Sequence, residues 1–443
     1  MPLELGSTKL PQYGIDAAMN HPPSISWVTR LRNVILSVGP GIFCIGYTVG
    51  TGSVTTLSKA GADVGMSLLW LLALCCLFMG VLMEAFGRYA AVTGDTAIHG
   101  FRKNLAGGPG IAVFVIAGVL LAQYGAIMGI TGLCSSMITE VLELNVELAG
   151  ISTYALRLIV AVVIVVTLYA ILLVGRYSFF EKVLVFFVAL MSLGFIVSTF
   201  VVLPAPLVWA RGMVPSLPAN PDHFVLVPAL VGTTMAAATF VVRPLLVKTK
   251  GWGIAERREQ TRDSVIGALL MFVVGGAIMA SATGAMHASG HTVNHVMDMV
   301  RALQPAAGQF ATVLFFIGVL SAGLSSLIPI MMVAPLLIAD YRDGRMETDT
   351  RLFRILAAVT CVMGLTVPVL GVNPIQAQIV TQIAGVFVLP LSIGAMIYLV
   401  NRKDLMGAHR PGWAMNAGMA AAFLFSILIM YSGILAVAEK LKG

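Results

Sequence analysis

Two stretches of this chain carry the residues with chemistry to offer. GYTVGTGSVTT brings Gly46, Gly50, Gly52 and Ser53 close together, and GTTMAAATFVVRP sets Gly232, a threonine pair, Arg243 and Pro244 in order. Glycine and proline interrupt helices and free backbone N–H and C=O groups to meet a ligand. An arginine inside an apolar run needs a partner or a role. Glu84 precedes Arg88 by four residues, which suits an ion pair one helical turn apart; Glu84 is also a candidate proton-coupling carboxylate. His287, His291 and His295 recur every fourth residue with Asp298 nearby, a spacing that could serve a metal site or a pH sensor. Gly290 interrupts that run, and solvated loop histidines are its plainer reading. Cys44, Cys75, Cys76, Cys134 and Cys361 all fall in apolar runs without CxxC spacing, so they read as packing residues. Neither a Walker-type nor a dinucleotide-binding glycine loop occurs, and no Ser-His-Asp or metallohydrolase pattern is visible. No cofactor, no metal centre and no enzymatic activity are expected.

The elements that must position these residues are membrane helices. Of the 443 residues, 58% are apolar and 11% charged, against about a quarter charged in soluble domains. The mean hydropathy is +0.94, and the apolar residues come in runs long enough to cross about 30 Å of hydrocarbon. Eleven spans follow: 34–60, 66–92, 110–138, 155–175, 180–203, 224–248, 264–286, 308–340, 352–371, 376–400 and 413–437. The charged stretch between Lys248 and Asp263 reads as a loop. Residues 1–33 form a polar tail with four prolines and no apolar core of the kind a cleavable signal needs. With that tail inside, the inner loops and tail collect 20 Lys and Arg residues and the outer side 6. This bias predicts a multi-pass protein of the cell (inner) membrane, N-terminus cytoplasmic and C-terminus outside. The net charge of +7 is spread over short loops, so nucleic acid is not an expected partner.

The interrupted spans are the first and the sixth, which open two blocks of five, 34–203 and 224–400, with 413–437 as an extra span. Glycines in membrane helices also serve simple close packing. Interruptions at matching places in two halves instead predict an inverted-repeat transporter with its site at the midplane.

Several long stretches resemble the Nramp family of metal-ion transporters. GPGIFCIGYTVGTGSVTTLSKAGADVGMSLLW has the family's opening Gly-Pro-Gly, the AGA and the closing LLW. GRYSFFEKVLVFFV resembles its fourth-to-fifth connection, LFFIGVLSAGLSS its eighth span and TQIAGVFVLPLSIGAMIYLVNRKDLMG its tenth span and following loop. The resemblance implies an all-α, five-plus-five LeuT-type fold, with broken helices 1 and 6 around a central site. It also places the family's first-span Asp-Pro-Gly-Asn on Gly50, Thr51, Gly52 and Ser53. The sixth-span Met-Pro-His falls on Ala236, Ala237 and Ala238, and a later histidine on Arg243. No acidic residue lies between Gly110 and Thr139 of the third span, and Gln382 is what remains of the family's constellation.

The residues left at such a site are small, hydroxylic or amidic: Thr51, Ser53, Thr55, Thr234, Thr239 and Gln382. A transition metal needs soft, imidazole or several carboxylate ligands, and an uncompensated buried cation is costly. The N-terminal ends of two broken half-helices, near Ser53 and Ala238, favour negative charge instead. Arg243 would add positive potential, unless it serves structure by pairing with Glu84 or backbone carbonyls. The expected function is therefore secondary transport of a small anion such as bicarbonate. The alternatives are transport of Mn²⁺ or Mg²⁺, and a non-transporting receptor or sensor. The expected partners are a small inorganic ion and the lipid bilayer, with the chain working as a monomer.

Overall fold

The structure is a computed structural model. It describes residues 51–145, 151–174, 204–218, 220–293, 296–344 and 350–442, with scattered positions between 182 and 202. All of them lie in one compact unit, Gly39–Gly443. The first half of span 1, with Gly46 and Gly50, most of the fifth span, and His295 fall outside the described residues, as does the side chain of Thr51.

Among the described residues, nine helical stretches are long and apolar enough to cross a membrane, and one of them, Gly52–Thr93, holds parts of two expected spans. In chain order these comprise α1 (Thr51–Val64), α2 (Leu69–Thr93), α4 (Gly108–Asn145) and α5 (Thr153–Leu173). After them come α7 (Leu226–Thr234), α8 (Ala237–Thr249), α9 (Arg257–Ala285) and α10 (Val296–Asp343). The series closes with α11 (Arg351–Gly364), α12 (Thr366–Leu370), α13 (Pro374–Val386), α14 (Leu389–Asn401) and α16 (Trp413–Lys442). Short helices α3 (Ala97–Asn104), α6 (Pro206–Gly212) and α15 (Lys403–Met406) sit in the connections.

Local chemistry sets the helix ends. Gly94 takes a left-handed conformation (φ 68°) that stops α2, and its N–H reaches Ala90 O at 2.8 Å. Ser152 caps α5 by accepting from Ala155 N, and Thr350 caps α11 by accepting from Phe353 N. Asn373 accepts from both Ile375 N and Gln376 N ahead of Pro374, which fixes the start of α13. At the other side of the bundle, Asp340 of α10 accepts from the Thr96 hydroxyl and from Ile98 N (3.3 Å), docking α3. Outside the spans, Arg402 donates to Asp404 (3.0 Å) and to Asn104 O (2.9 Å). The first of these bonds holds the Asp404 carboxyl below the usual carboxylate range.

Burial separates the centre from the rim. In the broken stretch Leu226–Thr249, 94% of the most apolar window is buried, against 33% in Trp413–Ala438. The broken span is therefore central, and α16 lies at the periphery. Large apolar side chains such as Leu121, Val163, Val362 and Leu428 are exposed, as lipid-facing surfaces require. α1 packs on α9 and α7, α2 on α8 and α9, and α4 on α10 and α13. The α4–α13 seam is close because Gly125 and Gly129 face Thr381 and Gln378.

The stretch expected as a loop between Lys248 and Asp263 is a correction. α8 runs to Thr249 and α9 already begins at Arg257. The first turns of α9 are two-faced: Arg257, Arg258 and Arg262 are exposed, while Gln260, Asp263 and Ser264 are buried. A charge-rich helix end projecting past the apolar run has the composition of a loop.

Candidate functional site

The site is built on the break in the sixth span. α7 stops at Thr234, Met235 (φ −105°, ψ 44°) and Ala236 (φ −57°, ψ 123°) leave helical geometry, and α8 restarts at Ala237. The restart falls one residue before the expected position. The first N–H groups of a helix have no intrahelical acceptor, so those of Ala237 and Ala238 open toward the break. Thr239 N closes the first turn on Ala236 O at 3.0 Å.

A cavity of about 30 Å³ lies there, lined by Ala236, Ala237, Ala238, Gly52, Gly232, Thr233, Gln123 and Gln382, with apolar wall from α4 and Ile330. That space has room for about two waters. The alanines leave the space open. Gly52 and Gly232 let α1 and α7 touch α13: a Cβ at either position would collide with Gln382, through its amide at Gly52 and its backbone carbonyl at Gly232. Ser53 Oγ and Thr233 Oγ1 share a buried hydrogen bond of 2.9 Å that ties α1 to α7.

The expected site residues divide into two groups. Gly52, Ala236, Ala237, Ala238 and Gln382 line the cavity. Ser53, Thr55, Thr234 and Thr239 are buried beside it in α1, α7 and α8 without lining it. Gly50 lies outside the described residues, and Thr51 opens α1. Sequence reasoning passed over Gln123 of α4 and gave Thr233 no role. An amide in the middle of an apolar run is the sequence signal that marks Gln123.

Arg243 is fully buried and pairs with Asp263 of α9, Nη1 to Oδ2 at 2.5 Å, while Nη2 donates to Ser264 Oγ at 3.3 Å. Ser264 in turn donates to Gln260 O (3.0 Å), and Gln260 Nε2 donates to Glu84 O (3.2 Å). Glu84 accepts from Arg88 within α2 at 2.8 Å. The partner of Arg243 is thus a carboxylate assigned to a loop on sequence grounds, and neither Arg243 nor Glu84 lines the cavity. His287 contacts Ala62 O (2.9 Å) through Nδ1, and His291 Nδ1 contacts Ser289 Oγ (2.9 Å). Among the described residues, no group of three His, Cys, Asp or Glu side chains could hold a metal ion. Cys75, Cys76, Cys134 and Cys361 are buried and unpaired.

A bundle of membrane-spanning helices with a broken central span around a cavity is the architecture of a secondary transporter. The chain belongs to the Nramp family: the family described as "Natural resistance-associated macrophage protein-like" matches residues 41–436. A divalent metal cation transporter MntH of Acidiphilium cryptum is 26% identical over 390 residues, covering 85% of each chain. An MntH of Ralstonia nicotianae is 25% identical over 437 residues, 93% of this chain and 94% of its own. The manganese transporter of Eremococcus coleocola superposes with a TM-score of 0.69 at 16% identity, over 97% of this chain and 91% of that one. MHP1, a nucleobase-cation-symport-1 family transporter, superposes at 0.59 and 17% identity, over 90% of both chains.

Proposed function

We propose that this chain moves a small anion, with bicarbonate as the candidate substrate. The reading rests on one observation: the described wall of the central cavity holds no charged side chain. What faces the cavity is the N-terminal end of α8, the amides of Gln123 and Gln382 and the hydroxyl of Thr233. Helix N-termini and neutral donors favour negative charge. A divalent cation there would lack both counter-charge and the ligand types that compensate its dehydration. Bicarbonate is compact, planar and rich in acceptors. The chain would work as a monomer in the cell membrane, N-terminus cytoplasmic and C-terminus outside, with repeats 34–203 and 224–400 rocking about this site.

A second reading, transport of Mn²⁺ or Mg²⁺, is favoured by the names of the relatives. Flux into proteoliposomes separates the two. Labelled bicarbonate is expected to accumulate saturably, while Mn²⁺ and Mg²⁺ do not. Saturable metal uptake without bicarbonate uptake would sink the anion reading, and binding without flux of either would favour a receptor.

Restoring the family's ligands is a second test. Gly50→Asp combined with Ser53→Asn and Ala236→Met returns a carboxylate, an amide and a thioether to the sequence positions where the family carries them. A carboxylate about 5 Å from a bound anion costs roughly 3 kcal/mol at an effective dielectric of about 20. Bicarbonate affinity should fall on the order of 100-fold. Uptake that persists unchanged means the substrate does not use this site.

A further inference from the structure

Gln378 has no exposed surface, and neither its Nε2 nor its Oε1 has a hydrogen-bond partner. Leaving a buried amide unpaired costs about 1–3 kcal/mol per group, so such a residue calls for a partner that arrives from elsewhere. It stands on α13 one turn before Gln382, which lines the central cavity. Both amides reach the same bare stretch of α1. A Cβ placed on Gly52 would lie 2.8 Å from Gln378 Nε2 and closer still to Gln382 Nε2. The other end of the Gln378 amide meets a second bare backbone, where a Cβ on Gly129 of α4 would collide with Oε1 and stand 2.9 Å from Cδ. On α4, Gln123 lines the same cavity; it is 5% exposed, and its Oε1 is also buried without a partner.

The geometry points to Gln378 as a second substrate-contacting amide, which with Gln382 and Gln123 clamps a small planar oxyanion that carries one proton. A carboxamide sets an N–H donor beside a C=O acceptor. Hydrogencarbonate sets an O–H donor beside an oxygen acceptor, so the two groups pair through two parallel hydrogen bonds. Nitrate and chloride offer acceptors alone and leave the amide oxygen unpaired. The cavity reaches Gln382 and stops short of Gln378. Separation of α1 from α13 at Gly52 exposes the second amide and completes the clamp.

This inference rests on the anion reading above, and the experiment separates the two. Labelled bicarbonate uptake is measured in proteoliposomes with nitrate as competitor, for the wild type, Gln378→Leu and Gln382→Leu. Gln378→Leu is expected to raise the half-saturating bicarbonate concentration about 100-fold, the effect of two lost hydrogen bonds to an ion. Nitrate accepts from the amide N–H alone, so its inhibition should weaken only about tenfold, and selectivity for bicarbonate over nitrate falls, a shift that a merely structural role would not produce. If Gln378→Leu does not elute as a single folded species, Gln378→Met, of similar length, carries the same measurement. Unchanged half-saturation and selectivity in a folded Gln378 variant, with the wild type moving bicarbonate, overturns the clamp alone. A wild type that moves Mn²⁺ and no bicarbonate overturns the anion reading and the clamp with it.

Discussion

Gly129→Leu is expected to abolish transport, and Gly129→Ala to impair it strongly, because this glycine sets how closely α4 and α13 approach. A Cβ here would collide with Gln378 Oε1 and stand 3.1 Å from the Gln378 Cα, which belongs to a helix backbone. The amide could swing aside for one methyl group, but the backbone has to retreat for a whole leucine. Overpacking of this kind costs about 1–3 kcal/mol or more. It also holds apart two helices that both carry cavity residues, Gln123 on α4 and Gln382 on α13. Uptake in proteoliposomes reports the functional loss, and thermal unfolding in detergent reports the packing cost. Gly110→Ala on the same helix is the control, since a Cβ there meets nothing within 4 Å. Normal uptake by Gly129→Leu would mean that the α4–α13 seam plays no part in positioning the site.

The second large effect belongs to the Arg243–Asp263 pair. Both side chains are essentially without solvent contact, at 0% and 1% exposure, so removing one partner strands a charge in the bundle. Arg243→Met or Asp263→Leu alone should each cost about 3–5 kcal/mol. The double replacement Arg243→Met with Asp263→Leu should recover most of that loss, because it removes both desolvated charges together. A double-mutant cycle on thermal unfolding measures the coupling. Bicarbonate half-saturation in the folded double variant should stay close to wild type, since the arginine's charge is already offset by Asp263 and its side chain is absent from the cavity wall. A large loss of affinity in that variant would restore Arg243 to the substrate's electrostatics.

Much of the helical frame was legible because each span is a long apolar run bounded by charge. α2, α5 and α11–α12 begin and end within about three residues of expectation. The break in the sixth span was legible from Gly232, the threonine pair and the small residues that follow. Three features were hidden. α9 begins well before its apolar run, so Asp263 was assigned to a loop when it belongs to the helix that meets Arg243. Gln123 and Gln378 carry no charge and match no motif, so nothing in the sequence beyond an amide in an apolar run singles them out. Thr233 was visible, but its bond to Ser53 spans 180 residues of sequence.

Residue type and order establish that the chain crosses the membrane many times, where its sixth span breaks, and that the residues at the expected site lack the carboxylate, thioether and imidazole that bind transition metals. Those conclusions depend on residue type and on position along the chain. Tertiary structure alone decided which side chains share the cavity and which neutralise each other. A span that is apolar all round carries little periodic sign of which face points inward. That choice is made where glycines let particular helices approach, as Gly52 does against Gln378 and Gln382.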